Sequence, residues 1–163
     1  MVLTKRPENM PDMLPAGWMD GMWKYSPHIW LGVTAENQAM ANERIPLLMQ
    51  VPAKVRFVSA EPLLGRIDLT EAMYGEETFG MNCFGFTDGF GEEAYIQLVI
   101  AGGESGSDRV MEPRWVQEIR DQCIGAKVPF TFKQWGGKGR DPQGIWGGKK
   151  LDGRTWSEMP NDQ

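Results

Sequence analysis

The chain has 163 residues, of which 41% are hydrophobic and 10% aromatic, and this composition predicts one folded domain rather than a disordered segment. The formal net charge is -5 at pH 7, so the chain lacks the basic field on which general nucleic-acid binding depends. Two cysteines and one histidine argue against a disulfide framework and against a Cys/His metal site of the usual ligand count. No apolar run is long enough to span a membrane, and we expect a cytoplasmic protein.

One pattern repeats along the chain: a short apolar strand ends in polar residues, and a helical stretch follows. The predicted strands cover residues 2–4, 29–34, 55–59, 96–101 and 128–133. The predicted helices cover residues 8–14, residues 38–50 and a stretch from Pro113 to a C-terminal cap at Gly125. Alternation of this kind predicts an α/β fold with a parallel sheet.

Two segments interrupt this pattern. Residues 66–95 are rich in glycine and acidic residues, with phenylalanines between them, and predict an insertion such as a small hairpin or a mobile lid. Residues 138–163 are rich in glycine and lysine and predict an extended tail or a short hairpin. The expected domain therefore covers residues 1–137, with an insertion at about 66–95 and a C-terminal tail at 138–163.

Polar residues gather at the C-terminal ends of the predicted strands. In parallel (β/α) folds this edge of the sheet carries the functional groups, so we expect these residues to form one ligand-binding site. The candidate ligand-binding residues are Thr34, Glu36, Ser59, Glu61, Gly102, Gly103, Glu104, Ser105, Lys133 and Gln134.

Some of these candidates have a second interpretation that needs no ligand. The segment Gly102–Gly106 either brings backbone N–H groups close to a carboxylate or phosphate, or forms a tight turn after a strand. Glu36 either accepts hydrogen bonds from a ligand or is an acid at the N-terminus of a helix. The sequence alone leaves both alternatives open.

Two interpretations, one with a ligand and one without, are also open for the charged residues at the ends of the third and last strands. Glu61 either binds a ligand amine or ribose, or pairs with an arginine such as Arg56 or Arg109. Lys133 either binds an anion or forms an ion pair with Glu61 or Glu104.

Five segments, in this order along the chain, closely resemble a phage-associated family of unknown function whose sequences look radical-SAM-like. The segments are Leu3–Pro7, Trp30–Gln38, Arg56–Gly65, Val99–Gly106 and Phe132–Gly136. Together they cover roughly residues 2–137 of this sequence. The resemblance implies a partial (β/α) barrel of about four to five parallel strands with helices and one insertion.

Family members are longer and begin with three clustered cysteines, which are presumed to hold a 4Fe–4S cluster that cleaves S-adenosylmethionine. In this sequence Cys83 and Cys123 lie about forty residues apart and cannot replace three closely spaced thiolate ligands. The resemblance therefore implies that this chain alone holds no cluster. S-adenosylmethionine is a candidate ligand, and an iron–sulfur cluster is expected only from a partner.

The sequence matches the later strands of the family pattern, so the resemblance implies half of a barrel. A half barrel exposes sheet edges that a closed barrel does not have, and we expect a protein partner to cover them. The expected partner is a complementary half-barrel, a host complex or a second copy of this chain. We expect no membrane contact.

Three functions are compatible with these observations. In the first, the chain is not catalytic alone and binds a host macromolecule, for example to inhibit a bacterial defence complex, through acidic residues of the insertion. These partner-binding candidates are Glu76, Glu77, Asp88, Glu92 and Glu93, which otherwise belong to a solvated loop. In the second, the chain is the substrate- or S-adenosylmethionine-binding half of a split radical-SAM enzyme that another chain completes. In the third, it is a degraded gene product without activity.

Overall fold

The structure is a computed structural model that describes residues 1–74, 85–87, 93–137 and 148–160. Strands in these ranges are numbered in chain order. They are β1 (Val2–Thr4), β2 (Trp30–Thr34), β3 (Val55–Ala60), β4 (Gly85–Thr87), β5 (Glu93–Tyr95), β6 (Leu98–Gly102), β7 (Phe130–Gln134), β8 (Lys150–Leu151) and β9 (Arg154–Thr155). The α-helices are α1 (Met10–Met13), α2 (Gln38–Met49), α3 (Leu69–Tyr74) and α4 (Pro113–Ala126).

Five of the strands form a parallel sheet in the order β1-β2-β3-β6-β7, which follows their order in the chain. Because crossovers between parallel strands are right-handed, a sheet without reversal of strand order carries its connecting helices on one face. This arrangement confirms the predicted α/β fold with about five parallel strands. The strand order is also the one that a segment of a (β/α) barrel has.

The main core lies between this helix-bearing face of the sheet and the helices α2 and α4. Alternate residues of the strands point into it, because successive side chains of a strand face opposite sides. The sheet contributes Leu31, Val33, Val58, Val99, Phe130 and Phe132, and the helices contribute Ile45, Leu48, Val116, Ile119 and Cys123. All of these side chains are buried.

The opposite face of the sheet is built from the intervening residues. Phe57 of β3 packs its ring against Gly32 of β2, where a Cβ would come within 2.5 Å of three ring carbons. Phe57 and its register partner Leu98 in β6 are buried, but they do not belong to the main core. Gly32 thus makes room for the ring of Phe57 on this face.

The ends of the two main helices follow from local hydrogen bonds. The side chain of Asn37 accepts a hydrogen bond of 3.1 Å from the N–H of Met40 and caps the start of α2. The predicted cap at Gly125 is wrong, because α4 continues to Ala126 and Lys127 takes the left-handed conformation with φ 58°. The helix runs one residue further than predicted because the N–H of Lys127 still bonds to a helix carbonyl.

The two edges of the sheet differ in whether another segment of the chain covers them. The edge at β7 is covered by residues 148–158, since the N–H of Phe132 donates to the carbonyl of Trp156 at 3.0 Å and the N–H of Glu158 donates to that of Phe130 at 3.2 Å. This segment contains the hairpin of β8 and β9, one of the two predicted forms of the tail. At the other edge, Val2 and Leu3 of β1 are exposed.

The predicted insertion is described only in part. Residues 66–74 contain α3, which packs against α2, with Ile67 and Leu69 buried in the main core. β4 and β5 pair in an antiparallel manner. Four of the partner-binding candidates, Glu76, Glu77, Asp88 and Glu92, lie outside the described residues, and Glu93 begins β5.

Candidate functional site at the C-terminal edge of the sheet

The first cluster of polar side chains lies where β1 and β2 end. The carboxylate of Glu36 forms ion pairs with Lys5 and with Arg44 of α2, whose Nη1 lies 2.8 Å from Oε2 of Glu36. The same Nη1 donates a hydrogen bond of 2.8 Å to the backbone carbonyl of Thr34. Arg44 therefore joins the helix to the end of β2 and fixes the position of Glu36.

This environment keeps Glu36 charged. Burial by itself raises the pKa of the carboxyl group, but the hydrogen bond from Lys5 and the positive charges of Arg44 and Lys5 outweigh it. The pKa of Glu36 therefore lies below its ordinary value. The structure thus places Glu36 in an ion-pair cluster between two strand ends and a helix, with one basic partner at each carboxylate oxygen.

The second cluster joins the ends of β3 and β7 across β6. Nζ of Lys133 lies 2.9 Å from Oε1 of Glu61, which confirms one of the ion pairs considered from the sequence. Gly102 lies between them at the end of β6, where a Cβ would come within 3.3 Å of the Cβ of Lys133. The absence of a side chain at Gly102 leaves the space above β6 through which Lys133 reaches Glu61.

The two arginines considered as partners of Glu61 bind elsewhere. Nε of Arg56 donates a hydrogen bond of 3.0 Å to the carbonyl of Val51, at the N-terminal end of the sheet. Arg109 pairs with Glu104, with 3.7 Å between Nε and Oε2. This Glu104 oxygen is shielded from solvent and has no hydrogen-bond partner among the described residues.

The segment Gly102–Gly106 is held by the loop that follows β7. The N–H of Gly103 donates to the carbonyl of Gln134 at 2.9 Å, and the N–H of Gly106 donates to the carbonyl of Gly137 at 3.4 Å. These two N–H groups therefore bind backbone, which favours the tight-turn interpretation over an anion-binding loop. The side chains of Ser105 and Gln134 also meet there, with Nε2 of Gln134 donating to the Ser105 hydroxyl.

Two hydroxyl side chains lie on the sheet face opposite to α2 and α4. Thr34 of β2 and Ser59 of β3 are register partners. Each follows a core residue of the helix-bearing face, Val33 and Val58, so both side chains point to the other face. The structure thus brings the predicted site residues of these two strands side by side, and both residues are buried.

Of the two basic partners of Glu36, Arg44 is the one that sequence reasoning missed. A signal for Arg44 was present, because it lies three residues after Ala41 and four before Leu48, the spacing of one helix face, and both of these residues are buried. A buried arginine needs a carboxylate or carbonyl partner, and Glu36 is the nearest acid before the helix. For Lys5 the sequence gives its place at the end of the first predicted strand, but its contact with Glu36 depends on the pairing of β1 with β2.

Across the described ranges, no three His, Cys, Asp or Glu side chains are placed to hold a metal ion. Cys123 lies in the core, where burial and the charge of Glu158 raise the pKa of its thiol. His28 is exposed, and Cys83 lies outside the described residues. No helix in the described part of the chain combines the length and the apolarity that crossing a bilayer requires.

The sequence was compared with known proteins. The model of the family described as "Protein of unknown function (DUF5131)" matches residues 1–160. The chain belongs to this family. The match covers every strand of the parallel sheet, and also the C-terminal hairpin that covers β7, so this hairpin lies within the region that the family model describes. Searches of curated proteins and of solved structures found no significant match.

Proposed function

We propose that this member of the family is a binding protein, without catalytic activity of its own, that docks a protein partner on the β1 edge of its sheet. The observation that carries the proposal is the contrast between the two edges. The β7 edge is paired with the chain's own C-terminal segment, whereas at β1 Val2 is 47% exposed and Leu3 is 49% exposed. Parallel sheets are normally covered on both faces, and an exposed edge strand offers unpaired N–H and C=O groups with which another chain can pair.

The exposure at β1 affects both faces of the sheet. Val2 is the register partner of Leu31, which belongs to the main core, and Leu3 is the register partner of Gly32 on the other face. Because the two side chains point in opposite directions, their exposure shows that cover is incomplete above and below the strand. A partner that adds a strand and its flanking helix would cover both side chains.

Other exposed apolar side chains come from the same part of the chain. Six large hydrophobic residues before residue 26 are exposed: Met1, Val2, Leu3, Met13, Met22 and Tyr25. Scattered apolar residues on a surface need no explanation, but three consecutive exposed apolar residues at an edge strand, Met1 to Leu3, are typical of an interaction surface. The partner is therefore expected to present an apolar strand or helix.

Two partners fit this proposal. The first is a complementary half-barrel of a split radical-SAM-like enzyme, in which Glu61, Glu104 and Gln134 contact S-adenosylmethionine or substrate and the partner brings the iron–sulfur cluster. The position of these residues at one edge of the sheet supports this candidate. The second is a host complex in a bacterial cytoplasm, such as a defence complex that a phage protein inhibits, and the net charge of -5 supports it.

The test uses a charge placed on the exposed strand. Tagged wild-type chain, the Leu3→Glu variant and the control Ile124→Glu, which alters an equally exposed residue of α4, are used for anaerobic affinity capture from host lysate. We expect one partner to be captured by the wild type and the control and lost with Leu3→Glu. A partner with clustered cysteines and iron identifies the split enzyme, and a nucleoprotein without iron identifies the host complex. Equal capture by all three chains, or no capture, overturns the proposal.

A further inference from the structure

The guanidinium of Arg44 has one edge that its ion pair with Glu36 leaves only partly used. Nη1 donates hydrogen bonds to the carbonyl of Thr34 and to Oε2 of Glu36, both at 2.8 Å. Nη2 donates to Sδ of Met40 at 3.0 Å, one turn earlier in α2. Nε is shielded from solvent and has no hydrogen-bond partner among the described residues.

The unused donor lies on the same side of the guanidinium as the contact with Met40. The group is planar and its N–H bonds have fixed directions, so Nε–H and one N–H of Nη2 lie side by side on one edge. A thioether sulfur is only a weak acceptor, and this one meets Nη2 but not Nε. A buried donor of a charged group without an acceptor destabilises the folded chain. This edge of Arg44 therefore lacks one strong acceptor oxygen beside Sδ of Met40.

Met40 itself can supply that oxygen. We infer that Met40 is an oxidation site whose sulfoxide oxygen is bound by Nε and Nη2 of Arg44. Met40 is partly exposed, whereas Met10 and Met49 are buried in the main core, so a small hydroperoxide reaches Sδ of Met40 more easily. The methionine side chain is unbranched and has three rotatable bonds, which allow the new oxygen to turn toward the guanidinium.

The oxidation uses a hydroperoxide, such as hydrogen peroxide, as its co-reactant. A lone pair of Sδ attacks one peroxide oxygen, the O–O bond breaks and an S–O bond forms. The sulfur loses two electrons and the peroxide gains them, and the second oxygen of hydrogen peroxide leaves as water with both protons. The product is a sulfoxide, which is polar where the thioether was apolar.

The surroundings of Met40 determine the effect of this change. A sulfoxide usually disrupts packing, because a polar oxygen enters an apolar environment. Here the oxygen meets two donors of a charged group on one edge, and hydrogen bonds of this kind are among the stronger ones. Oxidation is therefore expected to tighten the link that Arg44 makes between α2 and the end of β2. The inference goes beyond the proposed docking at β1, and its test needs no partner.

The first measurement is peroxide treatment of the full chain, with the oxidation of each methionine read by mass spectrometry after digestion. We expect Met40 to be oxidised faster than Met10 and Met49. The NMR signal of the Nε–H group of Arg44, identified by its absence in Arg44→Lys, is expected to move downfield as the sulfoxide forms. Met40→Leu keeps an apolar side chain of similar size, and its Arg44 signal is expected not to respond to peroxide.

The second measurement is denaturant unfolding with and without peroxide treatment. The wild type and Met40→Leu contain the same other methionines, so the difference between their responses belongs to Met40. We expect the unfolding midpoint to fall less in the wild type than in Met40→Leu. Met40→Gln carries a carbonyl oxygen in place of the sulfoxide oxygen, and without any peroxide it is expected to show the downfield shift of the Arg44 signal.

The inference is overturned if Met40 is oxidised no faster than Met10 and Met49. It is also overturned if the sulfoxide forms while the Arg44 signal stays in place, or if the midpoint falls more in the wild type than in Met40→Leu. A loss of folding in Met40→Leu is recognised from its spectrum. Met40→Gln then decides the outcome, because an Arg44 signal at its wild-type position in this variant contradicts the binding of an oxygen by Nε.

Discussion

Gly103 and Gly136 cross in direct backbone contact just beyond the ends of β6 and β7. A Cβ on Gly103 would lie 2.6 Å from the carbonyl carbon of Trp135, and a Cβ on Gly136 would lie 2.5 Å from the carbonyl carbon of Gly103. Gly136 also has a φ of 80°, which favours glycine. Since backbone atoms cannot rotate away as a side chain can, the crossing leaves no room for a side chain at either position.

The Gly103→Ala variant is therefore expected to be strongly destabilised. The added methyl group must push apart two loops that are joined by the hydrogen bond from the N–H of Gly103 to the carbonyl of Gln134. Overpacking typically costs about 1–3 kcal/mol of unfolding free energy, and we expect a loss at the upper end of this range because the atoms in contact are backbone. Denaturant unfolding followed by circular dichroism measures this loss.

The matched control is Gly125→Ala in α4, where a Cβ meets no atom within 4 Å. Alanine is the better residue within a helix, so this variant is expected to gain about 0.5–1 kcal/mol. If both variants were equally stable, the close crossing of the two loops would be wrong.

The sheet itself could be predicted from the sequence for a simple reason. β2, β3 and β6 are short, mainly apolar runs with glycine, serine or threonine as the last or the next-to-last residue, and each signal lies within a few consecutive residues. The cover of the β7 edge could not be predicted in this way. It depends on the hydrogen bond between Phe132 and Trp156, two residues far apart in the sequence that no local pattern brings together.

The candidate site could also be predicted from the sequence only in part. The positions of Thr34, Ser59, Glu61 and Lys133 at one edge follow from parallel strands, so the list of residues could be written from the sequence. The sequence could not show which acid pairs with which base, because Glu61 and Lys133 meet across the intervening β6. That contact depends on Gly102 having no side chain, which becomes evident only once the strand order is known.

The ion pairs of Glu36 predict a specific dependence of stability on pH. The pKa of Glu36 is lowered in the folded state, because the bond from Lys5 and the charge of Arg44 outweigh burial. A lowered pKa adds stability that is fully present above the unfolded value of about 4.3 and is lost as the pH falls through the folded value. The wild-type chain is therefore expected to lose unfolding free energy below about pH 4.5.

The Glu36→Gln variant tests this dependence. It is expected to lose about 1–3 kcal/mol at pH 7, because Arg44 remains buried without its carboxylate, and to respond less to acid than the wild type. The control is Glu43→Gln, at an exposed position of the same helix, with an expected change within about 0.5 kcal/mol. Parallel pH curves for the wild type and Glu36→Gln would show that Glu36 does not carry the effect.

Cys123 is predicted to be unreactive in the folded protein. Burial in the main core raises the pKa of the thiol and keeps reagents away, and the thiolate is the form that reacts. Iodoacetamide labelling, read from the peptide that contains Cys123, is expected to be slow in buffer and fast in denaturant. The control is Ile124→Cys, since position 124 is exposed on the same helix and its thiol is expected to react at once. Equal native labelling rates at the two positions would contradict the burial of Cys123.

Trp156 is predicted to hold the segment that covers the β7 edge. Its ring lies edge-on to Phe130, with 5.9 Å between the ring centroids, and the guanidinium of Arg154 lies 4.0 Å above it. Its indole N–H also donates to the carbonyl of Leu151 at 3.2 Å. The Trp156→Ala variant is therefore expected to lose about 3–5 kcal/mol of unfolding free energy.

The same variant has a second expected effect, which distinguishes edge cover from general packing. Once the C-terminal segment is released, the N–H and C=O groups of β7 are free to pair with another chain, so self-association should increase with protein concentration. Light scattering and denaturant unfolding measure the two effects. Met159→Ala, an exposed change in the same segment, is expected to alter neither. If Trp156→Ala lowered the stability but the chain stayed monomeric at all concentrations, the residue would act in the core alone, and some other contact would have to keep the β7 edge covered.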